Sequence, residues 1–191
     1  MSKKVYIIAE IGINHNGRIN TAKKLIDIAK KGGADAVKFQ TYITEKLISK
    51  NEELMPYQKK NIKKKINQYQ MLKKNELNIS DHKRLIKYCK KKKIEFISTP
   101  YDIDSAKLLI KLGLKIIKIA STDVTNLELI RFILNNKKQL IISSGATSQK
   151  ELDTLFKIIG TKQNLKKISL LHCISYYPAP LESLNLGVIR N

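Results

Sequence analysis

Tryptophan is missing, cysteine occurs twice, and carboxylates are scarce: 16 Asp and Glu stand against 37 Lys and Arg in 191 residues. Each shortage closes off a class of protein. Cys89 and Cys173 are too few and too far apart for a disulfide scaffold, and neither sits in a Cys-x-x-Cys or similar metal spacing. Cys89 falls on the buried side of a helical pattern and reads as core filling. Glycine and proline are sparse and 42% of the residues are hydrophobic. That excludes a disordered chain and fits one domain with a real core. No apolar run approaches the roughly 20 residues that span a bilayer. The opening apolar run meets Glu10 too early for a signal peptide, and no small-residue cleavage site follows. It reads as a first strand, and the protein as cytoplasmic.

The formal charge is +21, nearly all of the excess being lysine. The runs Lys63-Lys64-Lys65 and Lys90-Lys91-Lys92-Lys93 raise the question of phosphate contacts with nucleic acid. Arginine, the better reader of bases and phosphates, is scarce, and no aromatics interleave with the runs. Both runs fall on or at the ends of helical patterns and read as solvated faces. A basic nucleic-acid-binding module stays as an alternative, and a basic field also draws anionic substrates.

Two textures alternate along the chain. Short β-branched or apolar runs at 5–9, 36–41, 95–99, 115–121, 139–143 and 168–173 read as buried strands. Between them lie helical spacings. Asn20 is positioned to cap a helix with Ala22, Leu25, Ile26 and Ala29 inward, ended by Gly32-Gly33. Ser80 is positioned to cap another, with Leu85, Ile86 and Cys89 inward. Further helices are expected over 104–112, 126–136 and 148–159. Residues 42–79 form a long insertion, within which 61–72 reads as an extra helix; long connections on one face of an α/β domain are usually functional. Strands buried on both faces and alternating with helices imply parallel β-α units, either a doubly wound sheet or a β/α barrel.

Polar residues gather where each strand gives way to its loop. Glu10 precedes Gly12-Ile13-Asn14-His15-Asn16-Gly17. Lys38 and Gln40 lie on the second strand, Ser98-Thr99-Pro100 on the third, Lys118 and Ser121-Thr122-Asp123 on the fourth, Ser143-Ser144-Gly145 on the fifth, and His172-Cys173 on the sixth. A lysine inside an apolar strand is costly unless paired or bound to an anion. One such lysine reads as outward-facing or snorkelling from the strand end. Two of them, with hydroxyls at three other strand ends, point to a small-anion site, because Ser and Thr hydroxyls and loop N–H groups suit phosphate and carboxylate. In a barrel such sites sit at the C-terminal ends of the strands. His15 reads as a loop-shaping partner, His172 as a satisfied core histidine and His82 as a surface residue.

The ordered set of motifs resembles the sialic acid synthase (NeuB) family, which also contains the legionaminic and pseudaminic acid synthases. The matching stretches are Ala9-Glu10-Ile11-Gly12-Ile13-Asn14-His15-Asn16-Gly17, Ala36-Val37-Lys38-Phe39-Gln40-Thr41, Ile97-Ser98-Thr99-Pro100-Tyr101-Asp102, Lys118-Ile119-Ala120-Ser121, and Leu170-Leu171-His172-Cys173 with Tyr177-Pro178-Ala179-Pro180. The resemblance implies a TIM-type (β/α) barrel and condensation of phosphoenolpyruvate with N-acetylmannosamine or a related N-acetylated amino sugar. The product is a nonulosonic acid, with release of phosphate. By resemblance Lys38 and Thr99 hold the carboxylate of phosphoenolpyruvate, while Lys118, Ser121, Ser143 and Ser175 hold its phosphate. Gln40 and Tyr177 bind the sugar, and Glu10 and Asp123 are catalytic. The family also implies a divalent metal, Mn or Mg, that polarises the aldehyde or activates water.

Three departures are mild. Asp123 replaces a frequent Glu, Ser175 replaces an Asn found in some relatives, and Ser143-Ser144-Gly145-Ala146 replaces Ser-Thr-Gly-Met. The extent is the larger departure. About six of eight β/α units are expected over residues 1–191, as one partial barrel domain with a sixth helix starting near 185. The metal ligands and the C-terminal antifreeze-like domain are expected to lie outside the chain. The expectation is therefore a synthase polypeptide, working as a homodimer as in the family or with a complementing C-terminal chain. The alternative is a non-catalytic remnant that binds phosphoenolpyruvate or a partner.

Overall fold

Strands and helices alternate as the apolar spacing predicts. The computed structural model describes residues 5–54, 58–59, 66–176 and 178–190. The chain divides into two units, Met1–Leu108 and Leu109–Asn191.

In the first unit β1 (Ile8–Gly12), β2 (Ala36–Thr41) and β3 (Glu95–Pro100) pair in parallel and in chain order. β1 starts three residues later than expected. Val5, Tyr6 and Ile7 are exposed, and Asp35 ties the entry down by accepting from Ile7 N at 2.9 Å while its own N–H donates to Ile7 O. Helix α1 (Ile19–Lys31) buries Ala22 and Ile26, one turn apart, and stops at Gly32-Gly33. Its N-cap is Arg18 without a side-chain bond, not Asn20, which lies inside the first turn. Among the described residues the insertion includes the helices α2 (Thr44–Leu47) and α3 (Gln68–Asn75), the latter opened by an Asn67/Gln70 capping box. Residues 61–65 of the expected extra helix, including the first lysine run, lie outside the described residues. Helix α4 (Ile79–Lys92) is capped by Asn78, two residues before the expected Ser80, and buries His82, Leu85 and Cys89. The second lysine run occupies its C-terminal turn, where cations favour the helix dipole. Lys92 pairs there with Asp27 at 2.6 Å and lies over the Tyr88 ring. Helix α5 (Ile103–Lys111) follows β3.

Alternation along β2 and β3 sends Phe39 and Phe96 toward the helix layer, where they stack with centroids 4.9 Å apart. Beside them runs a buried polar relay, and it corrects the reading of His82 as a surface residue. His82 is fully buried. Its Nδ1 lies 2.9 Å from Asn78 O, which only accepts, so Nδ1 carries the proton and Nε2 accepts from Thr41 Oγ1 at 2.9 Å. Thr41 Oγ1 then accepts from Ser98 Oγ at 2.7 Å. The relay joins α4 to the ends of β2 and β3 with a neutral imidazole.

The second unit repeats the pattern with β4 (Ile116–Ile119), α6 (Leu127–Asn135), β5 (Gln139–Ser143), α7 (Gln149–Ile159), α8 (Lys162–Leu165) and β6 (Ile168–Leu171). The strands pair in parallel, β4 with β5 and β5 with β6. Asn126 caps α6, and a Ser148/Glu151 capping box opens α7. β4 and β6 are shorter than expected. The polar residues assigned to their ends belong to a 3₁₀ turn (Ser121–Asp123) and to loop. Where a sixth helix is expected there are two 3₁₀ turns, Leu181–Ser183 and Leu186–Arg190, with Leu181, Leu186 and Ile189 exposed. No helix among the described residues is long and apolar enough to cross a membrane.

Burial pushes the His82 imidazole below its ordinary value of 6.5. Burial, then the nearby His82, does the same to His15. Unfolding releases both to take up protons, so stability is fully present at neutral pH and falls as pH drops below 6.5 toward the depressed folded values. Urea midpoints measured from pH 8 to pH 5 are expected to decline through that window. A flat profile would show that the two rings are not held neutral.

Candidate functional site

In the first unit the strand register assembles the cluster. Glu10 pairs directly with Lys38, and Gln40 with Thr99. Lys38 and Gln40 are two residues apart on β2, so all four share the face opposite the Phe39 layer. The Lys38 ammonium forms an ion pair with the Glu10 carboxylate; the lysine side chain is 18% exposed and the glutamate 48%. Thr99 is buried. The strand-lysine puzzle thus resolves in part through a neighbouring carboxylate. A pair this wet contributes little to stability, and its charges stay available to a ligand.

Gly12 has φ +51, and a side chain there would press on Glu10 Oε1 at 2.9 Å. The glycine leaves room for that carboxylate beside Gln40. The following loop turns through Asn14 N→Ile11 O and Asn16 N→Ile13 O bonds, and His15 Nδ1 accepts from Gly17 N at 3.1 Å. His15 is buried and shapes the loop, as expected. Gly17 has φ +70, and a Cβ would stand 2.2 Å from Lys74 O, so this loop seats closely on the end of α3. The insertion is itself anchored. Tyr42 Oη donates to Leu72 O at 3.0 Å, and Glu76 Oε2 accepts from Thr44 N and Oγ1. Between loop, β2, α2 and α3 lies a cavity of about 720 Å³ that reaches Gln40. Apart from Gln40, its polar lining escaped the sequence reading. Asn14, Asn16, Gln58, Gln68 and Asn75 come from separate segments, and the only signal was a long insertion beside an Asn-rich loop.

In the second unit Lys118 is 5% exposed. Its ammonium donates to Ile119 O at 2.6 Å and to Ser143 Oγ. Cys173 Sγ, two residues beyond β6, lies 3.4 Å from the same hydroxyl. With ammonium and thiol both directed at its oxygen, Ser143 keeps its own proton to give. Gly145 brings its backbone against Cys173; a Cβ would lie 3.2 Å from that residue's backbone. Ser121 is half-buried, and its carbonyl accepts from Thr147 Oγ1 at 3.5 Å. Ser175 is exposed, and Tyr177 lies outside the described residues. Asp123 is half-buried. Asn126 reaches its Oδ1 at 3.5 Å, while Oδ2 has no partner among the described residues. Burial raises its carboxyl above 3.8, partly offset by the Asn126 bond. His172 Nε2 donates to Leu184 O at 2.6 Å, which ties down the loop after β6. Among the described residues no group of three or more His, Cys, Asp or Glu is placed to hold a metal ion, so no step is assigned to one.

A profile of the NeuB family matches residues 25–191. The N,N'-diacetyllegionaminic acid synthase of Campylobacter jejuni is 43% identical, over 99% of this chain and 57% of its own length. The enzyme of the same name from Legionella pneumophila is 41% identical, over 99% and 54%. The chain thus spans about half the length of the curated relatives it matches. Among solved structures, the N-acetylneuraminic acid synthetase of Leptospira borgpetersenii, in complex with citrate, superposes with a TM-score of 0.82 at 32% identity, over 98% of this chain and 60% of that one. The α/β fold is of the barrel type expected from the sequence.

Two outcomes follow from this geometry. Gly17→Ala is expected to cost roughly 1–3 kcal/mol in urea unfolding, and more than Gly33→Ala, where φ is also positive but nothing lies within 4 Å of a Cβ. Equal losses would remove the close seating on α3. Asp123→Asn is expected to raise the unfolding midpoint at pH 7, because a carboxyl with a raised folded value destabilises once ionised. That advantage shrinks as pH falls toward 3.8. A lower midpoint at pH 7 would mean that the carboxylate is favourably held.

Proposed function

The chain belongs to the NeuB family, and from that premise we propose that it binds phosphoenolpyruvate for condensation with an N-acetylated amino sugar in the synthesis of a nonulosonic acid. The observation that carries this reading is the desolvated Lys118 ammonium, hydrogen-bonded to a Ser143 hydroxyl whose proton is left to donate. Burying such a charge is costly, and a doubly charged phosphate offsets that cost more fully than a neutral ligand. Lys118 and Ser143 take the phosphate, with Ser121 just after Lys118 in sequence and Ser175 just after Cys173. Lys38 and Thr99 take the carboxylate, and Gln40 and Tyr177 take the sugar.

In this reaction the methylene carbon of phosphoenolpyruvate attacks the aldehyde carbon of the open-chain sugar, and the aldehyde oxygen takes a proton. Water adds to the former enol carbon, and phosphate leaves by carbon–oxygen cleavage. Glu10 lies beside Lys38 at the strand ends, where its carboxylate stabilises the cationic enol carbon and accepts a proton from the attacking water. Asp123, whose burial favours the protonated form, supplies a proton.

Calorimetry separates the two lysines. Lys118→Ala is expected to weaken phosphoenolpyruvate and inorganic phosphate alike, by roughly 10- to 100-fold for a lost charge-assisted hydrogen bond. Lys38→Ala is expected to weaken phosphoenolpyruvate and leave inorganic phosphate unchanged. Unaltered phosphoenolpyruvate affinity in Lys118→Ala would overturn the assignment.

A further inference from the structure

Positive charge is concentrated on α1 and α4. Residues 19–31 and 79–93 hold 11 of the chain's 37 lysines and arginines but two of its 16 carboxylates, Asp27 and Asp81. A net +9 of the chain's +21 thus falls on about a seventh of its residues. A solvated face in a lysine-rich chain accounts for lysines spread evenly, not for this concentration. Both carboxylates are already engaged. Asp27 accepts from Tyr88 Oη at 2.8 Å and pairs with Lys92, and Asp81 pairs with Arg84 at 3.9 Å.

The two helices are laced into one surface. Besides the Asp27 contacts, Lys30 Nζ donates to Lys93 O at 2.8 Å, and the Lys23 and Lys92 ammonium groups both lie over the Tyr88 ring. On α1, Lys24, Ile28 and Lys31 share one stripe, turned away from the buried Ala22 and Ile26. All three are exposed, Ile28 by 66%. On α4, exposed Lys87 and Lys91 form the matching stripe, turned away from His82, Leu85 and Cys89. Each helix ends where the next strand starts, α1 before β2 and α4 before β3. Lysines 30–31 and 90–93 therefore crowd at the strand starts, away from the strand ends that carry Gln40 and Thr99. A partner docked there leaves those ends open.

Composition selects the partner. The cores of protein–protein interfaces are depleted in lysine and enriched in aromatics and arginine. Nucleic acid is read by arginine forks and stacked aromatics, but here Arg84 is paired with Asp81 and the Tyr88 ring is covered by ammonium groups. An anionic bilayer needs neither. Its charges are spread over a plane and attract lysines without a fixed geometry, and an apolar side chain standing among those lysines enters the headgroup layer. Ile28, between Lys24 and Lys31, is such a side chain.

We propose that the outer face of α1 and α4 docks peripherally on an anionic lipid bilayer, with its lysines on the headgroup phosphates and Ile28 in the headgroup layer.

The test is co-sedimentation of the 191-residue chain with vesicles of phosphatidylcholine alone or mixed equally with phosphatidylglycerol. Binding to the mixed vesicles alone is expected, weakening as salt rises. Lys87→Glu with Lys91→Glu is expected to weaken it by at least roughly tenfold. Lys157→Glu with Lys166→Glu removes the same charge from exposed positions off this face and is expected to leave affinity within about twofold of the parent. Ile28→Ser is expected to lower affinity severalfold with the salt dependence unchanged. Equal losses in the two double variants would show that net charge, not this face, is responsible, and would overturn the proposal. So would binding to phosphatidylcholine alone, no binding to either vesicle, or tighter binding to duplex DNA or polyglutamate than to the mixed vesicles at the same salt.

Discussion

A lysine ammonium withdrawn from water at the end of β4 is the constraint around which the second unit is arranged. An ammonium at that depth is tolerated only where oxygen atoms are held against it. Ile119 O and Ser143 Oγ do so because β4 and β5 are parallel neighbours in register, Lys118 beside Ile141. The close packing of Gly145 on Cys173 then brings a thiol to the same hydroxyl. An apolar strand sequence that carries a single lysine is thereby turned into a directed donor pair, a hydroxyl and an ammonium at one strand end.

The first unit handles its charge differently. Lys38 has a carboxylate beside it, and both remain partly wet, so the pair stores little energy and leaves its charges open to exchange for a ligand. What is rigid there lies behind the pair. The Ser98–Thr41–His82 relay and the Phe39–Phe96 stack occupy the opposite face of the same strands. Fixing that face fixes the alternate residues, Lys38, Gln40 and Thr99, on the other. A neutral buried histidine contributes this rigidity at the expense of acid stability.

Much of this was legible in the sequence because it depends on local pattern. Apolar runs gave the strands, and Ser148 and Asn126 announced their helices. Misses came where two candidates stood close together, as with Asn78 and Ser80, or where a polar residue belonged to an apolar stripe. His82 begins the same i, i+3, i+7 stripe as Leu85 and Cys89, and that spacing marked it as buried. Its type argued otherwise, and its side-chain partner Thr41, which in turn bonds Ser98, is 41 residues away along the chain. The anion-site residues were legible because strand ends cluster in any parallel α/β fold. The amide-lined cavity was not, since its walls come from four segments that only the folded insertion brings together.

Phosphorus NMR of phosphoenolpyruvate tests the central claim most directly, because it reports on the group the buried ammonium is held to meet. Titration with the chain is predicted to shift the phosphorus resonance and to saturate at one equivalent, with the shift lost in Lys118→Met. A resonance that does not move, or that moves equally with the methionine variant, would contradict the account.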